Sequence, residues 1–177
     1  MNTTRFSPAL PRQKCLSIAV TGHRRNQLDA KECERIETMF SVIFQEIACT
    51  NDGPHRLVTG MADGADLAAV RACPTGWDIH GILAMPVQTW ATGLAQVSAM
   101  DAASFAAVAA DHRIEVLPPP RPNYSAVGRR ILEGADALIG VWNGKPGHPG
   151  GTAEVIDSAR RAAIPVAVIN VQEGAGI

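Results

Sequence analysis

"DALIGVWNGKPGHPGGTAEVIDSARRAAIPVAVI", residues 136 to 169, is the stretch whose reading decides the fold. It opens on an apolar run (136–142) and passes through a loop of glycine and proline (143–151). An amphipathic segment follows (152–163), and a second apolar run, PVAVINV (165–171), closes it. Short continuous apolar runs suit strands buried on both faces, as in parallel sheets. Two parallel strands need a crossover of a dozen or more residues, most often a helix. The stretch therefore predicts a strand–helix–strand unit whose helix starts directly after paired glycines.

The same alternation recurs on the N-terminal side. CLSIAV (15–20) reads as a strand, and Asp29 starts a helix with Glu32 as its capping-box partner. Ile36, Met39, Phe40, Ile43, Phe44 and Ile47 give that helix one apolar face, and TNDGP (50–54) ends it. RLVTG (56–60), DIHGILAM (78–85) and RIEVLP (113–118) read as further strands. ADGADLAAVRA (62–72), DAASFAAVAADH (101–112) and residues 124–133 read as helices, while 87–99 shows no decisive pattern. PPPRPN (118–123) is a stiff connector. Strands alternating with helices predict an α/β, three-layer, doubly wound, mainly parallel sheet of Rossmann-like form. The expected organisation is one domain over 15–177 behind a loose tail at 1–14.

The chain has 177 residues, 46% hydrophobic and 19% charged, an ordinary globular composition. Its formal net charge of -1 disfavours broad nucleic-acid binding, which needs a basic surface. No run approaches the ~20 apolar residues of a membrane span, and the first fourteen residues do not form a signal peptide. Four scattered cysteines without a CxxC pair read as reduced thiols of a cytoplasmic protein. The five histidines show no metal-ligand spacing, so no metal site is expected. No GxSxG elbow supports a hydrolase triad.

Right-handed crossovers bring the C-terminal ends of parallel strands to one edge, where ligands bind. Three segments should meet there. The first is Thr21-Gly22-His23-Arg24-Arg25, in which glycine permits a tight turn and arginine can grip phosphate with a planar fork. The second runs from Thr59-Gly60 to Asp63 and Asp66, where small residues let backbone approach a ligand and a helix N-terminus follows. Asp63 and Asp66 could cap that helix or accept hydrogen bonds from a ribose. The third is Gly150-Gly151-Thr152-Ala153-Glu154. Its glycines can form a concavity of N–H donors for phosphate, Thr152 can cap the helix, and Glu154 can favour the helix dipole, bind a ribose hydroxyl or act in catalysis. Trp142 at the end of a strand can stack on a base or close the core, and Trp77 and Trp90 read as packing or surface residues. The loop is neither a Walker loop nor a GxGxxG fingerprint.

"TGHR" (21–24), "LVTGMADGADLAA" (57–69) and the stretch at 136–169 together resemble the SLOG superfamily of Rossmann-like nucleotide-binding proteins. That group includes the LOG phosphoribohydrolases, DprA and proteins once labelled lysine decarboxylases. The resemblance covers residues 15 to 171 and is nearest a stand-alone, sensor-like branch. It implies a phosphate near Gly150, Gly151 and Thr152, with Arg24 close by and ribose or base near Gly60 and Asp66. LOG enzymes carry PGGxGTxxE, whereas here Glu154 follows Thr152 by two residues. One residue of offset turns a helical side chain by about 100°.

The leading expectation is a module that binds a nucleotide or an ADP-ribose-like derivative, with no further cofactor required. The alternative is N-glycosidic cleavage or transfer on nucleoside monophosphates, with Glu154 or Asp66 stabilising an oxocarbenium-like state. A third reading is a purely structural subunit. The apolar face of 36–47 and the Ala-rich stretch at 102–110 also suggest a homodimer.

Overall fold

The computed structural model describes residues 15–118 and 123–171. The expected tail at 1–14 and most of the connector at 118–123 lie outside them. Among the described residues six strands form one sheet: β1 (Ser17–Gly22), β2 (Arg56–Thr59), β3 (Asp78–Leu83), β4 (Arg113–Val116), β5 (Ala137–Trp142) and β6 (Val166–Asn170). Their spatial order is β4-β3-β2-β1-β5-β6, and every pairing is parallel. The chain starts in the middle, winds outward to β4, then returns to lay β5 against the other side of β1. The sheet therefore reverses direction of growth between β1 and β5. This is the doubly wound, Rossmann-like architecture expected from the alternation.

Strand periodicity divides the sheet between two cores. Ile18, Val20, Leu57, Leu83 and Ile139 face one cluster, and Ala19, Val58, Ile82 and Leu138 face the other. Helices α1 (Ala30–Thr50), α2 (Ala65–Ala72), α3 (Val87–Val97) and α4 (Ala99–Asp111) serve the first cluster. Helices α5 (Tyr124–Leu132) and α6 (Thr152–Arg161) serve the second. The face of α1 is consumed within the chain: Ile36, Phe40, Phe44 and Ile47 are buried in the first core. Asp29 caps α1 as its spacing implied, accepting from the Glu32 N–H at 2.7 Å.

One open segment is filled and two local expectations are corrected. The ambiguous segment at 87–99 contains α3, and Ser98 caps α4 through the Asp101 N–H. Leu94 and the buried ring of Trp90 hold α3 to the core. Asp63 does not cap α2, because Gly64 occupies the cap position at φ +90° and the Asp63 carboxylate is taken by the arginines after β1. Thr152 does not cap α6; it is the first helical residue, after Gly151.

Candidate functional site

The C-terminal ends of β1, β2, β3 and β5 surround one cleft of about 570 Å³, within the range of small-molecule sites. It lies over the β1–β5 reversal, where doubly wound sheets bind ligands. Each wall follows from a local feature of the sequence.

The first wall leaves β1 at Thr21 and Gly22. A Cβ on Gly22 would fall 2.5 Å from the Ala65 Cβ and 2.7 Å from the Val141 Cβ, so only glycine lets α2 and β5 close on this strand end. The His23 N–H donates to the Val141 carbonyl at 3.1 Å and extends the ladder by one residue. Beyond it, the Asn143 N–H donates to His23 Nε2 at 3.2 Å. A backbone N–H can only donate, so Nε2 carries no proton here. Burial lowers the His23 pKa, with the Asn143 side chain opposing. Arg24 follows, its side chain half exposed and its Nε donating to Asp63 Oδ1 at 2.6 Å.

Asp63 also accepts from the Arg25 N–H at 3.0 Å. Buried and outside the cleft lining, it positions Arg24. Behind it, fully buried Asp101 accepts from Arg25 Nη2 at 3.0 Å, Arg71 Nη1 at 2.7 Å and the Gly64 N–H at 3.2 Å. Burial raises the Asp101 pKa, but the bonds from Arg25 and Arg71 outweigh it, and the net shift is downward. The α2 N-terminus is occupied internally: Asp101 takes the Gly64 N–H, and the His23 carbonyl takes the Ala65 N–H. It is not the free donor set that the second loop suggested.

The α6 N-terminus is different. Its cap residue Gly151 brings no side-chain hydrogen bond, and Gly150, Gly151 and Thr152 line the cleft. The first-turn N–H groups of a helix have no intrahelical acceptors, and they carry the positive end of the dipole. Gly150 adopts φ +78°, and a Cβ there would meet Tyr124 Cβ at 2.5 Å and Ser125 N at 2.6 Å. The loop thus sits directly against the start of α5. Glu154 reaches back to accept the Gly150 N–H at 2.7 Å, and it lines a shallower groove outside the cleft.

The remaining wall lies at β2 and β3. Gly60 and Asp66 line it, together with Ile82, Trp90, Val127 and Ile131. Met61 holds a left-handed conformation (φ 55°) while fully buried, and its carbonyl accepts from Trp90 Nε1 at 2.9 Å. This turn aims the Ala62 N–H at Asp66 Oδ2, 3.2 Å away. Asp66 is 5% exposed, and its Oδ1 has no partner of good geometry among the described residues. Burial pushes its carboxyl up to about 7, against the Thr59 hydroxyl and Ala62 N–H, which favour the ionised form. On the β5 side Trp142 lines the opening, its Nε1 donating to the Lys145 carbonyl at 2.8 Å.

Ten sequence-derived candidates therefore share one cleft (Thr21, Gly22, His23, Arg24, Gly60, Asp66, Trp142, Gly150, Gly151 and Thr152), and Asp63 and Glu154 stand behind its walls. Sequence reading missed Tyr124 and the apolar end built on Ile82, Trp90, Val127 and Ile131. Their only signal was position, at the end of a strand or the start of a helix. Among the described residues no group of His, Cys, Asp and Glu is arranged to hold a metal, and no helix is long and apolar enough to cross a membrane.

No family model and no curated protein sequence matches the chain. Among solved structures it is similar to TM1055, a Northeast Structural Genomics Consortium target. That match has 16% identity and a TM-score of 0.51, covering 85% of this chain and 72% of that one. It is also similar to the molybdenum cofactor carrier protein of Chlamydomonas reinhardtii, with 15% identity and a TM-score of 0.39, covering 88% of this chain and 90% of that one. The first likeness agrees with the Rossmann-like architecture read from the strand order.

Proposed function

We propose that this protein binds a nucleotide or nucleotide-derived phosphate ester in the cleft, as a stand-alone binding module of the SLOG type. The observation that carries the reading is the uncapped α6 N-terminus opening into the cleft with Arg24 on the same lining. The N–H groups of Gly150 and Gly151 are taken by Glu154 and the His148 carbonyl. The donors left for an anion are those of the first α6 turn from Thr152, with the helix dipole behind them, and a guanidinium fork adds charge-assisted hydrogen bonds. The mixed apolar and aromatic wall suits a sugar or base. Trp142 and Tyr124, the latter 42% exposed, flank the phosphate end with ring surface.

The test is thermal unfolding against AMP, GMP, NAD, ADP-ribose, cyclic nucleotides and inorganic phosphate. A ligand at about 100 times its Kd adds roughly 2.7 kcal/mol, or about 5–10 °C for a domain of this size. Gly151→Asp should abolish the shift by placing a carboxylate at the phosphate position. Its φ of -84° suits any residue and Asp is a favourable helix cap, but a Cβ there would fall 2.9 Å from the His148 carbonyl oxygen. Arg24→Ala, which should also abolish the shift, is therefore the companion variant. No shift with any probe overturns the reading.

N-glycosidic cleavage is the second reading. Asp66 favours it, as a carboxyl titrating near neutrality inside a cleft. Free base released from AMP by the native protein and lost in Asp66→Asn would support it, and absence of release would remove it.

A further inference from the structure

We infer that Asp66 selects the ligand: its carboxylate accepts a hydrogen bond from an O–H or N–H on the sugar or base of a phosphate ester anchored at α6. This rests on the phosphate-binding reading above and adds the chemistry of the ligand's other end.

The inference starts from an unmet requirement. An ionised carboxylate offers about four acceptor sites and donates nothing. Asp66 is buried, yet the Ala62 N–H at 3.2 Å is its only hydrogen bond of good geometry among the described residues, and Oδ1 is left without one. The Thr59 hydroxyl beside it favours the ionised form but makes no bond of good geometry, so little internal donation meets about four acceptor sites. Buried polar groups are normally satisfied, and a shortfall of donors at a cleft wall marks where a ligand supplies them.

Position agrees. The α6 N-terminus follows β5, while Asp66 stands against Gly60 at the end of β2. A Cβ on Gly60 would meet Asp66 Oδ2 at 3.3 Å, so glycine keeps that edge of the carboxylate uncovered. In the order β2-β1-β5 these ends are two strand spacings apart, roughly 10 Å. That is about the reach of a mononucleotide from its phosphate to the far side of its sugar or to its base. The wall around Asp66 is apolar, with Ile82, Trp90 and Val127, so a ligand seated there excludes water from the carboxylate.

The charged groups that act on Asp66 are Asp63, which disfavours its ionised form, and Arg24, which favours it. The facing surfaces of α3 and α5 in the cleft contribute Trp90 and Val127, and His23 lines the cleft from β1. The ionised acid accepts a ligand donor more strongly than the protonated one, which keeps only a neutral carbonyl acceptor. Affinity therefore rises with pH through the titration of Asp66, and binding below that point releases a proton.

The experiment is calorimetric titration at pH 6, 7 and 8 with the 5′-methylphosphate esters of adenosine, guanosine and ribose. Their phosphodiester keeps a single charge across this range. Affinity of the native protein should rise roughly tenfold from pH 6 to 8, following the ionised fraction of a group near 7. Proton release should be visible as a dependence of heat on buffer. Asp66→Asn should weaken binding of the esters at pH 8 at least tenfold and flatten the pH profile, while inorganic phosphate still binds. If the ribose ester shows the whole effect, the donor is a sugar hydroxyl; if only the nucleosides show it, the donor is on the base. An affinity that falls from pH 6 to 8 in the native protein overturns the inference without any variant. So does an Asp66→Asn protein that binds the esters like the native one. If neither the esters nor inorganic phosphate binds, the phosphate-binding reading fails and this inference falls with it.

Discussion

Glu154 accepts the Gly150 N–H at 2.7 Å, which ties the first turn of α6 back onto the glycine loop before it. That bond, with help from Ser125, holds the Glu154 pKa below the usual carboxylate value. A depressed carboxylate pKa contributes stability that is present above the unfolded value and lost as pH falls through the folded one. The group faces solvent, so screening keeps the effect small. Glu154→Gln should cost at most about 1 kcal/mol in urea unfolding at pH 7, with the difference vanishing in acid. The carboxylate stands outside the cleft, so any base release from AMP should survive Glu154→Ala within a few-fold. Complete loss of release in that variant would mean that Glu154 turns inward when ligand is bound.

Asp101 is a heavier support. It is fully buried and holds Arg25, Arg71 and the Gly64 N–H at once. Removing one partner of a buried charge cluster strands the others, at about 3–5 kcal/mol. Asp101→Ala should lose stability on that scale by denaturant unfolding. Because the Asp101 pKa is lowered, the native contribution is present above the ordinary carboxylate pKa and fades as pH falls below it. The gap between native and variant should therefore narrow in acid. A loss under 1 kcal/mol at pH 7 would show that the cluster contributes little beyond its desolvation cost.

Gly64 and Gly76 separate backbone strain from steric clash. Both have positive φ, +90° and +91°. A Cβ at Gly76 meets nothing within 4 Å, whereas one at Gly64 falls 2.7 Å from the His23 carbonyl oxygen and 2.8 Å from the Arg25 nitrogen. Gly76→Ala should cost only the conformational penalty, about 1–3 kcal/mol. Gly64→Ala should cost more and should weaken phosphate binding, because the atoms it displaces belong to the loop that carries Arg24. Equal losses in the two variants would show that the loop yields freely.

The fold was legible because its signals are local. Apolar runs such as ALIGVW, and the Asp29 cap with its partner Glu32, carry their period and punctuation within a few residues. The site was legible as far as glycine loops at strand ends could take it. The roles of individual acids were not. Asp63, Asp66 and Glu154 are all acids near a helix start, yet one braces Arg24, one stands unsatisfied in the cleft and one ties down a loop. What separates them is tertiary. Arg24 is 39 residues from Asp63, and the bracing partner of Arg25, Asp101, is 76 residues away in a segment that reads only as an Ala-rich helix. The apolar end of the cleft was hidden for a similar reason. Ile82 and Val127 look like core residues in any window, and only the sheet order puts them beside Asp66.

His23 offers a direct pH readout of the cleft. Its Nε2 accepts the Asn143 N–H at 3.2 Å, a bond that exists only while that nitrogen is unprotonated. Burial lowers the His23 pKa from 6.5. Lowering a histidine pKa favours the neutral form in the folded state, so this contribution to stability is fully present above 6.5 and is lost as pH falls through the folded value. In a pH titration followed by NMR, the His23 ring should have its midpoint below 6.5, and the Asn143 amide shift should follow the same curve. Asp66 titrates nearby in pH, so the assignment needs a control. In His23→Gln the Asn143 amide should stop responding over that range, whereas in Asp66→Asn it should respond as before. A midpoint at or above 6.5, or an Asn143 response lost only in Asp66→Asn, would mean that the strand-end contact between His23 and Asn143 does not govern the loop after β5. The ligand-free cleft would then owe its pH dependence to Asp66 alone.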